Sequence, residues 1–140
     1  ADAPLGASAA ITLARQQLAA GRAGAAVRTL RAAPDAGPAT SAVAAEAALL
    51  LAVALRADDK PDDALATLRA LTDAFEARGR DAPRPEVYWR AWAESLEILS
   101  QRADQRGAER VRIGQLELID PRLGGGEAAR RIARVKALVR

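Results

Sequence analysis

"LARQQLAAGRAGAAVRTLRA" occupies residues 13–32, and "LAVALRADDKPDDALATLRA" occupies residues 51–70. Both stretches open on Leu-Ala and close on Thr-Leu-Arg-Ala, thirty-eight positions apart. Ala26 in the first matches Ala64 in the second, and Gly21 falls opposite Asp59. In each, apolar residues at helical spacing flank a short break, the pattern of two helices joined by a turn. A lone helical hairpin cannot bury its apolar faces, whereas stacked copies bury them against one another. The echo therefore predicts an all-α chain of stacked antiparallel hairpins. Small residues would let the two helices of a hairpin cross closely, and large ones would fill the gap to the next hairpin.

The rest of the chain extends this reading. Breaks fall at "GRAG" (21–24), "PDAGP" (34–38), "DDKP" (58–61), "RGRDAPRP" (78–85), "ADQRG" (103–107) and "DPRLGGG" (120–126). Between them the spacing predicts seven helices, near 6–20, 23–33, 39–57, 61–78, 85–102, 106–119 and 127–139. Pro61 suits a first helical position, with Asp62 and Asp63 behind it to meet the helix dipole. No useful stretch alternates with a strand's period of two. The 140 residues are expected to form one domain, with hairpins over 6–33, 39–78 and 85–119 and a capping helix over 127–139. The cap's stripe of Ala128, Ile132, Val135 and Val139 would cover apolar surface near Leu116 and Ile119.

Composition narrows the chemistry. The chain has no His and no Cys, which removes the commonest general base, the commonest metal ligand and any thiolate nucleophile. A non-catalytic protein without metal or cofactor is the expectation. The cluster Asp58, Asp59, Asp62 and Asp63 lacks the Gly and the terminal Glu of a calcium loop, and reads as an inter-helix turn. Glu94 and Glu97 share one helical face, so they read as solvated charges and not as a catalytic pair. "GGGE" at 124–127 lacks a Walker pattern and reads as a flexible link. The longest apolar run, "AALLLAVAL" at 47–55, is too short to span a membrane. The start, "ADAPLGAS", suits the new end left by signal cleavage, and the Arg-rich, Lys-poor composition suits a GC-rich bacterial genome. The sequence leaves the compartment open between a bacterial envelope or periplasmic setting and a cytoplasmic one.

The thirty-eight-residue echo resembles the tetratricopeptide repeat, a helix-turn-helix unit of about 34 residues. Leu13, Ala14, Gly21, Ala26, Leu30 and Ala33 carry the likeness in the first copy, and Leu51, Ala52, Ala64, Leu68 and Leu71 in the second. A third copy runs from Trp92 through Leu96 and Leu99 to "LELIDP", ending at Pro121. Its small slot falls on Ala108, or on Glu109 when counted back from Pro121. The resemblance implies a scaffold that binds another protein or a peptide in a concave groove lined by the first helices of successive hairpins. Groove candidates are Ser8, Ile11, Arg15, Leu18, Glu46, Leu49, Val53 and Arg56, with Arg90, Glu97 and Gln101 from the third copy. The family's chaperone-tail clamp uses Lys and Asn. This chain has no Asn, so that specificity is not carried over.

Two further features bear on partners. Tyr88 and Trp92 share a face, and an exposed ring there would make a binding hot spot. Residues 102–140 hold ten basic and five acidic residues. Arg130, Arg131, Arg134 and Lys136 form the alternative site, for anionic polymers or membrane surfaces. Nucleic acid is disfavoured as a partner because no stacking aromatics accompany these cations. The oligomeric state is left open.

Overall fold

The computed structural model describes residues 6–34, 37–101 and 106–139. Seven helices follow in order among them: α1 (Ala7–Ala19), α2 (Ala23–Ala32), α3 (Ala42–Ala57), α4 (Pro61–Glu76), α5 (Glu86–Ser100), α6 (Arg106–Ile119) and α7 (Glu127–Leu138). The protein is all-α, with packed neighbouring helices and no strand among the described residues. The start at 1–5, residues 35–36 and 103–105 of two expected breaks, residue 102 at the end of an expected helix, and residue 140 lie outside those residues.

The echo is one turn made twice. Gly21 ends α1 with φ +76°, and Asp59 ends α3 with φ +59°. The N–H of Arg22 donates to the Gln17 carbonyl at 2.8 Å, and that of Lys60 donates to the Leu55 carbonyl at 2.8 Å. The N–H of Ala26 reaches the Arg22 carbonyl at 3.1 Å, and that of Ala64 reaches the Lys60 carbonyl at 3.0 Å. Each bond of the second turn is a bond of the first moved thirty-eight positions. This reversal returns carbonyls at the helix end to hydrogen bonding through a left-handed residue.

Two compact units make up the chain, Ala1–Ala74 and Phe75–Arg140. The boundary falls in the last turn of α4, because Phe75 and Glu76 make their aromatic and hydroxyl contacts with Tyr88.

In the first unit α1, α2 and α3 touch one another pairwise. Their core is largely alanine: Ala10, Ala14, Ala26, Ala45, Ala52 and Ala54 are all buried, with Ile11, Val27, Leu49 and Leu55 between them. Methyl side chains let helix backbones approach closely, and Ala carries no side-chain entropy cost. On α4, Ala64, Leu68 and Leu71 are buried, one stripe of a helix that starts at Pro61 with Asp62 and Asp63 in its first turn. Helix α3 starts later than its expected position of 39. Ser41 caps it, with backbone in the extended region and its Oγ accepting from the Ala44 N–H at 3.3 Å.

In the second unit α7 packs chiefly on α5 and secondarily on α6. Ala128, Ile132, Val135 and Val139 are buried, as the stripe predicts. The surface they cover differs in part: Leu116 is buried, but Ile119 stays 37% exposed. The aromatic cluster belongs to this core. Phe75 meets Tyr88 edge-on at 6.2 Å, and Tyr88 meets Trp89 edge-on at 5.0 Å. In α6 the buried position is Glu109, and Ala108 is exposed, so the count back from Pro121 finds the inward slot.

The triple glycine is an ordered turn, not a flexible link. Asp120 accepts from the N–H groups of Arg122 and Gly124 at 2.9 and 3.0 Å through its two carboxylate oxygens. Leu123, Gly124 and Gly125 all have positive φ, and Leu123 is buried. A Cβ on Gly124 would stand 2.5 Å from Trp89 Cδ1, so the indole rests on bare backbone.

Candidate functional site

Helices α1 and α3 leave an open depression of about 430 Å³ in the first unit. Ser8, Ile11, Thr12 and Arg15 line it from α1, at the spacing that puts residues on one helical face. Ala42, Val43 and Glu46 line it from the first turns of α3. Ile11 is almost wholly buried, whereas Val43 is 38% exposed. Arg15 Nη2 donates to Glu46 Oε1 at 2.8 Å, with the two side chains 56% and 25% exposed. A pair this wet is worth at most about 1 kcal/mol. It orients the two side chains more than it stabilises the fold.

Of the residues expected in a groove, the structure brings Ser8, Ile11, Arg15 and Glu46 together here. Leu49 is buried in the core, while Leu18, Val53 and Arg56 are half-buried and do not line the depression. Arg90, Glu97 and Gln101 lie on or at the end of α5 in the second unit. Thr12, Ala42 and Val43 escaped the sequence reading. Thr12 follows from Ser8 by one helical turn. Val43 was assigned no role, though a β-branched residue in the first turn of an alanine-rich helix is a visible signal.

Of the two hot-spot candidates, Tyr88 belongs to the core. Tyr88 has no exposed surface, and its hydroxyl donates to Glu76 Oε1 at 3.1 Å. Burial pushes the phenol pKa above its ordinary value. Trp92 is half-buried, with the Arg112 guanidinium 4.9 Å from its ring centre.

The basic C-terminal residues are engaged by the chain's own acids. Arg131 is bidentate on Glu97 at 2.8 Å for both bonds, and also reaches Glu94 at 2.5 Å. Its side chain is 20% exposed, those of Glu94 and Glu97 are 12% and 26% exposed, and its proton is held more firmly than usual, chiefly by Glu97. The two glutamates are thus a clasp between α5 and α7, not the solvated charges that single-helix spacing suggests. Arg130 and Arg134 both bond Glu127, lowering the pKa of that exposed carboxylate, with the Arg130 hydrogen bond the larger cause. Lys136 pairs with Glu117 at 3.0 Å.

Asp58 pairs with Lys60 at 3.3 Å, and among the described residues no three acidic side chains are grouped to hold a metal ion. No helix among these residues is long and apolar enough to cross a membrane. No family model, curated protein or solved structure matches the chain.

Proposed function

We propose that the protein is a non-catalytic helical-repeat scaffold, of tetratricopeptide-like design, that binds a protein segment or peptide in the depression between α1 and α3. The observation that carries this reading is the lining itself: an apolar floor at Ile11, an accessible apolar wall at Val43 and a polar edge at Arg15–Glu46. That mixture suits side-chain recognition, in which an apolar anchor supplies binding energy and a few placed polar groups supply orientation. The alternative, capture of anionic polymers or membrane surfaces by Arg130, Arg131, Arg134 and Lys136, is supported less well because each cation already faces a carboxylate.

A peptide-display selection against the 140-residue chain tests this. Selected peptides are expected to carry an apolar anchor, to bind with little salt dependence, and to lose affinity about tenfold or more with Val43→Asp. Enrichment of acidic peptides whose binding collapses as salt rises would favour the anionic reading instead. Binding that ignores Val43→Asp would remove the depression as the site.

A further inference from the structure

Helix α6 is the least secured helix of the second unit. Of its residues 107–119, only Glu109, Ile113 and Leu116 are buried, against seven buried residues on α5. One of those three is a carboxylate, whose removal from water costs free energy that an aliphatic side chain would not lose. Polar contacts tie the helix to its neighbours. The Arg112 guanidinium lies 4.9 Å from the Trp92 ring centre, Arg110 donates to the Val139 carbonyl, and Glu117 pairs with Lys136 at 3.0 Å. Contacts of these kinds near solvent contribute little each.

The helix is also weak in itself. Its sequence, "RGAERVRIGQLELI", has one alanine and two glycines, with β-branched Val111, Ile113 and Ile119. Gly is the poorest helix former after Pro, and β-branched side chains are restricted in a helix. The helical glycine of α2 has a close neighbour: a Cβ on Gly24 would stand 3.4 Å from Asp58 Oδ1. A Cβ on Gly107 or Gly114 would meet no atom within 4 Å, and neither residue has positive φ. Neither packing among the described residues nor backbone shape calls for glycine at these positions. Their effect is to lower the stability of α6 alone.

The frame around α6 has its own fastenings. Helix α7 packs chiefly on α5, and Arg131 binds Glu94 and Glu97 across that contact. The turn that follows α6 is anchored separately, with Leu123 buried and Trp89 resting on Gly124.

We propose that α6 is a flap that unfolds and refolds locally, hinged on the anchored turn at 120–125, while α5 and α7 stay paired. Opening withdraws Ile113 and Leu116, lifts Arg112 from Trp92, and bares the surface beneath them. Proteins open in cooperative pieces, and the elements that move are drawn from the least stable ones. Gly114, in the middle of the helix, sets how often this piece opens.

Native-state hydrogen exchange of the 140-residue chain, read by mass spectrometry, tests this. Backbone amides across residues 110–118 are expected to be about a hundredfold or more less protected than those of α5 and α7. Low concentrations of urea should speed exchange steeply in α5 and α7 but little in α6, because a local opening exposes little surface. Gly114→Ala places a methyl group in open space. It should raise protection throughout 110–118 by about fivefold, the helix preference of Ala over Gly, and leave α5 and α7 unchanged. Protection of α6 equal to that of α5, weak protection confined to its first turn, or a Gly114→Ala change that leaves α6 unaltered or protects all three helices alike would each overturn the proposal.

Discussion

Gly21 and Asp59 occupy one slot of the repeated turn with different covalent freedom. Gly21 takes φ +76° at no steric cost, and a Cβ there would touch nothing, so Gly21→Ala isolates backbone strain. It should destabilise by roughly 1–2 kcal/mol, the usual cost of a left-handed L-residue. Asp59 already bears part of that strain. Asp59→Gly should therefore stabilise by about 0.5–1 kcal/mol, with chemical denaturation measuring both. Opposite signs at equivalent positions would be hard to explain unless the turn is truly repeated. Tyr88 offers a second test, as the chain's only tyrosine. Burial raises its pKa above 10.0 in the folded protein, so the neutral phenol is favoured there. Its contribution to stability is full below the unfolded-state pKa and is lost as pH climbs through the folded one. Ultraviolet titration should place tyrosinate formation above that of a tyrosine peptide. Tyr88→Phe should flatten the alkaline loss of stability.

Between helices the dominant polar contact is the clasp of Arg131 on Glu94 and Glu97. Arg131→Met keeps most of the side chain's apolar stem but removes the guanidinium that two partly buried carboxylates on neighbouring turns share. Loss of about 2 kcal/mol is expected, below the 3–5 kcal/mol of a fully buried pair because water still reaches these groups. Urea melts at neutral pH would measure it, and Arg131→Lys should recover only part, since an ammonium cannot form the bidentate fork. Nothing in the sequence reveals this contact. Helical spacing exposes neighbours three and four positions away, and Arg131 meets acids more than thirty positions earlier on another helix. The helices themselves were legible because their ends carry local chemistry: Pro61, Asp62 and Asp63 at one start, Gly21 at one stop. Half of the candidate site was legible for the same reason, since Ser8, Ile11 and Arg15 follow from the phase of α1 alone. Leu49 was misplaced because phase defines a face without saying what covers it. In α3, touched by both α1 and α2, the inward arc is wider than one stripe. The glycine turn was misread because its order comes from Asp120 below and Trp89 behind, contacts that a count of glycines does not contain.

Across the whole molecule, a net charge of +3 conceals a last helix whose Arg130, Arg131, Arg134 and Lys136 are paired with acids of the same chain. Arg130, Arg134 and Lys136 make exposed pairs. Replacing all three with Gln should leave stability nearly unchanged in thermal melts, as surface pairs contribute little each. The order of helices in contact has a different consequence, for the route by which the chain finds its fold. Among α1, α2 and α3 of the first unit the larger contacts join successive helices and close small loops, with the α1–α3 contact the lesser one. In the second unit the main partners, α5 and α7, skip over α6. Contacts between distant parts of a chain form slowly, because loop closure must precede the reward. The second unit should thus be the later one to assemble. Phe75, Tyr88, Trp89 and Trp92, all the aromatic residues of the chain, fall within it. Intrinsic fluorescence in a refolding experiment therefore watches only the late half, while circular dichroism sees helices from both. The two probes should report different rates on the same sample, an internal clock that requires no label.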